Sequence, residues 1–228
     1  MREIVFDTET TGLDPKTGDR MVEIGCIELV NRVPTGATFH AYFNPERDMP
    51  AGAEAVHGLS ATFLSDKPLF RARAEELLIF IGDSPLIAHN AGFDFGFLNH
   101  ELEACGLGLV SLDRMIDTVA IARRKHPGAK LSLDALCTRY GIDRSHRVKH
   151  GALLDAELLA QVYVELTGGR QIGLGLSLDT APIAAFAAVD VTPIRREPRP
   201  PRPHAATAAE LARHHAFMLR IKSPLWAS

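Results

Sequence analysis

Carboxylate side chains are the residues in this chain whose type and spacing could do chemistry. Asp7 and Glu9 follow the apolar, branched run Ile4-Val5-Phe6, which is typical of a short buried strand. Residues two apart share one face of a strand, so both carboxylates project to the same side. Two carboxylates about 4 Å apart repel by roughly 4 kcal/mol at an effective dielectric constant near 20. The pair is therefore consistent with a solvated strand end or with a site that binds cations.

Two further carboxylates lie on the apolar faces of predicted helices, each close to a helix start. Asp94 shares a face with Leu98, and Asp155 shares a face with Leu159. A carboxylate on the buried side of a helix is costly unless a positive group meets it. Together with the first pair, these two acids are candidates for one site.

Four carboxylates could hold two divalent cations in a charge-balanced site. Such a metal pair, about 3.5–4 Å apart, clamps the attacking and leaving oxygens of a phosphoryl displacement. Oxygen-only ligands favour Mg²⁺ or Mn²⁺ over zinc. His150, five residues before Asp155, could activate the water, because an imidazole titrates near neutral pH. The chain holds ten histidines, so position alone fits a histidine in a surface loop equally well.

The elements that must position these side chains indicate an α/β layer fold, in which strands are followed by alternating helices and short strands. We predict strands at 4–6, 21–31, 37–43, 86–88 and 115–117, and helices at 68–82, 92–104, 118–125, 133–140 and 152–166. The first three strands form a predicted meander. The segments 31–36 and 45–58 are predicted to be a turn and a loop.

Length and composition fit one sizeable domain with an appendage. The 228 residues are 46% hydrophobic and 23% charged, and no apolar run approaches the ~20 residues that span a bilayer. The first residues lack the pattern of a signal or transit peptide. The three cysteines form no C-x-x-C motif, which argues against a disulfide framework or a zinc knuckle. We therefore expect a cytosolic protein that does not associate with membranes.

Charge is unevenly distributed along the chain. The formal net charge of −3 argues against bulk attraction to nucleic acid. Between 123 and 149, however, only Asp134 and Asp143 oppose a run of basic residues: Arg123, Arg124, Lys125, Lys130, Arg139, Arg144, Arg147 and Lys149. This basic run is either a solvated face or a phosphate-binding flank beside the acidic site.

Four short segments carry a resemblance to a known family. They are 4–13 (IVFDTETTGL), 56–58 (VHG), 89–94 (HNAGFD) and 150–156 (HGALLDA). In this order and spacing they resemble the motifs of the DEDDh 3′→5′ exonucleases. The segments 127–143 and 150–169 are similar, in particular, to the epsilon proofreading subunits of bacterial DNA polymerase III. The resemblance covers about 1–170.

The resemblance implies an RNase H-like fold, in which a mixed sheet is flanked by helices. It implies that Asp7, Glu9, Asp94 and Asp155 bind two divalent cations, Mg²⁺ or Mn²⁺, and that His150 is the general base. Water would attack the last phosphodiester and release a 5′-mononucleotide.

The resemblance also implies a pocket for the terminal nucleotide. Its members would be Thr10, Gly12, Leu13, His57, Asn90 and Phe93. By residue type alone, Leu13 and Phe93 would equally fit a core, and Asn90 a turn. Nothing in this set reads base identity, and a frayed mismatch offers a single-stranded end at lower unpairing cost.

The chain changes character after the nuclease motifs, and we predict three parts: an exonuclease domain at 1–170, a flexible linker at 171–207 and a tail at 208–228. Gln171–Leu176 is similar to sliding-clamp-binding peptides, although a plain linker fits as well. The Pro-rich run RREPRPPRP favours an extended backbone. The tail has helical patterning and contains Trp226 near its end, a pattern typical of a segment that binds a partner. It is similar to the epsilon tail that docks on the catalytic (alpha) subunit of the polymerase.

The expected function is therefore the removal of mispaired 3′-terminal nucleotides during DNA replication. One alternative is a DEDDh exoribonuclease related to RNase T or oligoribonuclease, which shares the acidic and histidine positions but lacks the linker and tail. A second alternative is a non-catalytic replisome scaffold. The presence of all four acids and of His150 argues against it.

Overall fold

The computed structural model describes residues 1–145, 149–169 and 205–222. The chain divides into two compact units, Met1–Leu176 and Ser177–Ser228. In the first unit the strands are β1 (Arg2–Thr10), β2 (Met21–Val30), β3 (Val33–Tyr42), β4 (Leu86–Ala88) and β5 (Met115–Asp117). Its α-helices are α1 (Ala51–His57), α2 (Ala61–Leu64), α3 (Ala74–Ile81), α4 (Gly92–Ala104), α5 (Thr118–Lys125), α6 (Leu133–Tyr140) and α7 (Ala152–Leu166).

The five strands form one mixed sheet in the order β3-β2-β1-β4-β5. The pairs β1–β2 and β2–β3 are antiparallel, whereas β1–β4 and β4–β5 are parallel. The predicted meander and the predicted mixed sheet flanked by helices are therefore confirmed.

Both faces of the sheet are covered, and β1 lies at its centre. Ile4 and Phe6 pack on one side in a core with Leu77 of α3 and Phe95 of α4. Val5, which lies between them in the strand, packs on the opposite side with residues of α7. Because side chains alternate along a strand, the direction of each following residue of β1 is fixed by these two cores.

The structure corrects several predicted boundaries in the first part of the chain. Strand β1 extends to Thr10, so Asp7 and Glu9 lie within it and not beyond its end. The predicted turn at 31–36 is wrong: Asn31 and Arg32 alone form it, with φ of 52° and 65°, and β3 begins at Val33. Pro34 fits there because β3 is an edge strand, where a missing N–H need not disrupt a ladder.

The predicted loop at 45–58 is also wrong, because it contains α1. Pro50 precedes this alanine-rich helix, and Gly58 ends it in the left-handed region with φ of 79°. The helix predicted at 68–82 begins later, since Phe70–Ala72 is a 3₁₀ turn and α3 starts at Ala74.

The remaining predicted elements are confirmed. Strands β4 and β5 and helices α4, α5, α6 and α7 have the predicted bounds. Helix α6 shows why: the hydroxyl of Ser132 accepts the N–H of Ala135 at 3.3 Å, and Gly141 ends the helix with φ of 66°.

The second unit contains α8 (Ala208–Met218) in its described part. Thr207 and Glu210 form a capping box at its start. Leu211 and Phe217 are 58% and 59% exposed, so the helix presents apolar side chains to solvent. Residues 171–204 of the predicted linker, and Trp226, lie outside the described residues. Among the residues that the structure describes, no helix combines the length and the apolarity needed to cross a bilayer.

Candidate active site

One cleft of about 260 Å³ collects the predicted chemical residues. It is lined by Asp7, Thr8, Glu9, His89, Asn90, Phe93, Asp94, Ser132, Leu133, His150 and Asp155. These residues come from β1, from the start of α4, from the start of α6 and from the start of α7. All four predicted metal ligands and the predicted base therefore face one space.

The close approach of α7 to the sheet depends on Gly25 of β2. Gly25 lies directly opposite Asp7 in the β1–β2 ladder. A Cβ atom at Gly25 would lie 2.3 Å from the backbone nitrogen of Leu153, in the first turn of α7. Only glycine lets the first turn of α7 pack this closely against β2. This close packing brings Asp155 beside β1.

Asp94 reaches the cleft from the opposite side of β1. It is 2% exposed in the first turn of α4, and the hydroxyl of Thr8 donates a hydrogen bond to its Oδ1 at 2.8 Å. Thr8 follows Ile4 and Phe6 in strand phase, so it faces α4, whereas Asp7 and Glu9 face α7. The cleft thus wraps around the strand.

The turn before α4 is held by a carboxylate that sequence reasoning missed. Asn90 has φ of 64°, a left-handed conformation that asparagine tolerates. The Oδ1 atom of Asp117 accepts the backbone N–H of Asn90 at 3.0 Å and caps α5 by accepting that of Val119 at 2.9 Å. Asp117 had signalled only the end of a short strand, because its partner in this turn, Asn90, lies 27 residues away in the sequence.

His150 and Asp155 form a hydrogen-bonded pair. Nδ1 of His150 lies 3.0 Å from Oδ2 of Asp155, whose side chain is 4% exposed, whereas that of His150 is 48% exposed. An ionised carboxylate only accepts, so Nδ1 carries the proton and the basic atom of the neutral ring is Nε2. The backbone N–H of His150 reaches the carbonyl of Val56 in α1 at 3.4 Å.

Electrostatics make this cluster of acids unfavourable without a cation. Burial raises the pKa of Asp94 to about 7, against the hydrogen bond from Thr8, which lowers it. Burial, and then the charges of Asp94, Glu9 and Asp155, raise the pKa of Asp7 well above its usual range. Positive charge placed among these groups would favour their ionised forms.

The donor set fits a hard divalent cation. One potential ligand atom from each of Glu9, His150 and Asp155 lies within 4.8 Å of the others. Asp7 and Asp94 line the same cleft but do not belong to that tight group. Carboxylate oxygens predominate, which suits Mg²⁺ or Mn²⁺.

The predicted nucleotide-binding residues are divided between the cleft and its surroundings. Asn90 and Phe93 line the cleft, whereas Thr10, Gly12, Leu13 and His57 are not among the lining residues. Leu13 is 85% exposed, which excludes a core role for it. Sequence reasoning missed Thr8, His89, Ser132 and Leu133 as lining residues. Thr8 lies on the face of β1 opposite Asp7 and Glu9, and Ser132 is the residue that caps α6.

His57 carries an unsatisfied donor. The residue is 6% exposed, and its Nδ1 accepts the backbone N–H of Leu59 at 3.0 Å. Burial lowers its pKa, so the neutral ring is favoured and its proton resides on Nε2. Among the described residues that N–H meets no acceptor with good hydrogen-bond geometry, although the backbone of Thr10 lies near enough to raise the pKa of His57 against the effect of burial. A buried donor without an acceptor is costly, which suits a group that meets a ligand.

Part of the basic run is used within the fold. Lys125 donates to the carbonyl of Glu165 at 2.9 Å, and Arg144 pairs with Asp134 at 2.8 Å. Lys149 is exposed beside His150. Arg147 lies outside the described residues, so the phosphate-binding flank stays a prediction.

Comparison with known proteins places these features in context. A family model described as exonuclease, RNase_T, matches residues 4–163. The DNA polymerase III subunit epsilon of Rickettsia conorii is 50% identical over 230 residues, covering 97% of this chain and 96% of its own. The DNA polymerase III subunit epsilon of Escherichia coli K12 is 40% identical over 222 residues, covering 94% of this chain and 91% of its own.

Solved structures share the fold. The nuclease domain of 3′hExo, a DEDDh family member bound to rAMP, is 17% identical with a TM-score of 0.63, covering 73% of this chain and 91% of its own. Exonuclease X in complex with 5′ overhanging duplex DNA is 24% identical with a TM-score of 0.54, covering 72% of this chain and 90% of its own.

Proposed function

This chain belongs to the exonuclease family and, within it, to the epsilon subunits of DNA polymerase III, the 3′→5′ proofreading exonucleases; we propose that its cleft hydrolyses the last phosphodiester of a mispaired DNA strand. The products are 5′-mononucleotides and a shortened 3′ end. The observation that carries this proposal is the convergence of four carboxylates and a carboxylate-bound histidine on one cleft.

Asp7, Glu9, Asp94 and Asp155 hold two divalent cations in this proposal, either Mg²⁺ or Mn²⁺. When bound, these ions stabilise the negative charge that develops on the attacking and leaving oxygens. The raised pKa values of Asp7 and Asp94 support this assignment, because burial and, for Asp7, the neighbouring carboxylates disfavour the ionised forms unless a cation offsets them.

His150 accepts the proton of the attacking water at Nε2. Its Nδ1–H bond to Asp155 orients the ring and stabilises the imidazolium that forms. The half-exposed position of the ring allows the proton to pass on to solvent after each turnover.

The terminal nucleotide is held by Thr10, Gly12, Leu13, His57, Asn90 and Phe93. Two features support the proposal. The buried Nε2–H of His57 needs an acceptor, which a sugar or phosphate oxygen supplies. The exposed side chain of Leu13 offers apolar surface to a base. Mispaired ends are then preferred because they unpair at lower cost, without any reading of base identity.

The protein acts together with a polymerase and DNA, as its family membership implies. We propose the division into an exonuclease domain at 1–170, a linker at 171–207 and a tail at 208–228 that binds the catalytic (alpha) subunit. The exposed Leu211 and Phe217 of α8 support the tail as a docking helix. Binding of Gln171–Leu176 to the sliding clamp rests on the sequence pattern alone. The proposed site of action is the bacterial cytoplasm.

The test is nucleotide release from a labelled primer–template with Mg²⁺ or Mn²⁺, matched or mismatched at its 3′ end, beside single-stranded RNA of equal length. We expect faster removal of the mismatched DNA end, little action on RNA, and no activity in Asp7→Ala. The exposed Asp66 provides the matched control as Asp66→Ala, which should keep full activity.

Preference for RNA would move the protein to the exoribonucleases while keeping the site. Equal activity of wild type and Asp7→Ala would overturn a catalytic role and favour the replisome scaffold.

A further inference from the structure

A single carboxylate fills the inside of the loop that joins β1 to β2. This loop runs from Thr11 to Arg20 and contains Gly12 and Leu13, two of the proposed nucleotide-binding residues. Asp19 lies near its end, and its side chain is 15% exposed. Sequence reasoning assigned no role to Asp19.

The carboxylate of Asp19 is bonded to the part of the loop that faces the nucleotide in the proposal. It accepts a hydrogen bond from the hydroxyl of Thr11 at 3.3 Å and from the backbone N–H of Asp14 at 3.2 Å. It also packs against Gly12, where a Cβ atom would lie 2.2 Å from Oδ2 of Asp19. The residues on both sides of Leu13 are therefore tied to one side chain.

Arg47 holds that carboxylate from a different segment of the chain. Its Nη1 lies 2.9 Å from Oδ1 of Asp19 and also donates to the carbonyl of Gly18. Arg47 belongs to the segment that leads from β3 into α1, the helix that ends at His57. The Asp19–Arg47 pair thus connects the two segments that supply Gly12 and Leu13 on one side and His57 on the other.

The far end of the loop is anchored independently. Arg20 forms two bonds of 2.8 Å with the carboxylate of Glu101 in α4, which is 1% exposed. The backbone of Arg20 pairs with that of Thr11 at 2.9 Å. Loss of the Asp19–Arg47 pair would therefore leave the base of the loop in place and release its tip.

We propose that Asp19 and Arg47 are positioning residues, which set the spacing between the Gly12–Leu13 turn and His57 and so shape the pocket for the terminal nucleotide. The inference rests on the proposed function, since it acts through residues assigned to that pocket. Neither side chain lines the cleft that holds the acids and His150. Their effect is on binding of the nucleotide, and the chemical step is left intact.

The experiment compares two substrates in the full chain. A single-stranded DNA oligonucleotide engages the pocket, whereas bis(p-nitrophenyl) phosphate carries no nucleoside and reports the metal-dependent chemistry alone. For Asp19→Asn and Arg47→Gln we expect KM for the oligonucleotide to rise about tenfold, the scale of one hydrogen bond to a charged group. We expect kcat to stay within about twofold, because interactions that are equal in ground and transition states change KM only.

The controls separate positioning from general damage. Arg47→Lys retains the charge pair and should recover most of the lost affinity. Arg73→Gln removes an arginine of similar exposure, which pairs with Glu76 on α3, and should leave KM unchanged. The thermal unfolding midpoint of each variant is measured in parallel.

An unchanged KM for Asp19→Asn would overturn the inference. A parallel fall of activity on both substrates would also overturn it, because the pair would then be only structural. If the wild type hydrolyses the small phosphodiester but releases no nucleotide from DNA, the proposed function fails, and this result is distinct from either outcome for the variants.

Discussion

His150 and Asp155 are joined by a hydrogen bond of 3.0 Å between Nδ1 and Oδ2, across the start of α7. The buried acid fixes the tautomer of the half-exposed ring, so the proposed base is held by a proposed metal ligand. The base therefore depends on a rigid helix, although it lies itself in an irregular segment. This relationship gives the first prediction.

Replacing His150 with alanine should slow hydrolysis by about 10²–10⁴-fold, the usual contribution of a general base. Binding of Mn²⁺ should persist, because the four carboxylates remain. The measurements are single-turnover release of the terminal nucleotide and titration with Mn²⁺. His214→Ala, on exposed α8, serves as the control. A rate equal to that of the wild type would remove His150 from the mechanism.

Asp94 should make the metal-free protein less stable as the pH rises. Its carboxyl has a pKa near 7 in the fold and 3.8 as a reference, so the folded state binds more protons between these values. The free energy of unfolding then falls as pH rises from about 4 to about 7 and levels off above that. The full difference corresponds to on the order of 4 kcal/mol.

The variant Asp94→Asn cannot ionise and should lose this pH dependence. In EDTA at pH 8 we expect it to be more stable than the wild type, and at pH 4 about equally stable. Urea unfolding at both pH values measures the difference. A variant less stable than the wild type at pH 8 would contradict the assignment of the raised pKa to burial.

Gly25→Ala should damage catalysis without touching a chemical group. The added methyl group would meet the backbone of Leu153 at 2.3 Å, so α7 must move and carry Asp155 with it. We expect a loss of about 1–3 kcal/mol in the free energy of unfolding, as in other overpacked sites. Activity should fall about 10²-fold, since a displacement near 1 Å has that effect.

The matched control for this change is Gly52→Ala in α1, where an added Cβ meets no atom within 4 Å. It should keep full activity and gain slightly in stability, because alanine is the better helix former. Equal activity of Gly25→Ala and Gly52→Ala would show that the contact with α7 does not set the position of Asp155.

His57→Ala should weaken nucleotide binding. If the buried Nε2–H donates to the terminal nucleotide, its removal raises KM for single-stranded DNA about tenfold and changes kcat little. His57→Gln keeps an N–H donor, so we expect its KM to lie between that of the wild type and that of His57→Ala. Steady-state kinetics with both variants test this, and a KM unaffected in His57→Ala would assign His57 to the fold alone.

The sequence predicted the site better than the supports around it. Asp7 and Glu9 were found because strand alternation is local, and Asp94 and Asp155 because a carboxylate on an apolar helix face stands out. Thr8 was passed over because alternation correctly places it on the face of β1 opposite Asp7 and Glu9, and the sequence does not show that the cleft is lined from both faces.

The periodicity of apolar residues in the sequence does not predict long-range contacts. The pairing of Asp19 with Arg47, and the capping of Asn90 by Asp117, join residues far apart in the chain and leave no local pattern. Helix α1 was missed for a different reason, because Pro50, Gly52 and Gly58 gave the segment the composition of a loop, although they flank or begin a helix.

The acids of the cleft come from β1, α4 and α7, and this dispersal has a consequence for synthesis of the protein. A ribosome that has completed α4 has already made Asp7, Glu9 and Asp94, but Asp155 and His150 are not yet part of the chain. We therefore expect the nascent chain to lack nuclease activity until α7 has been synthesised and has packed against Gly25.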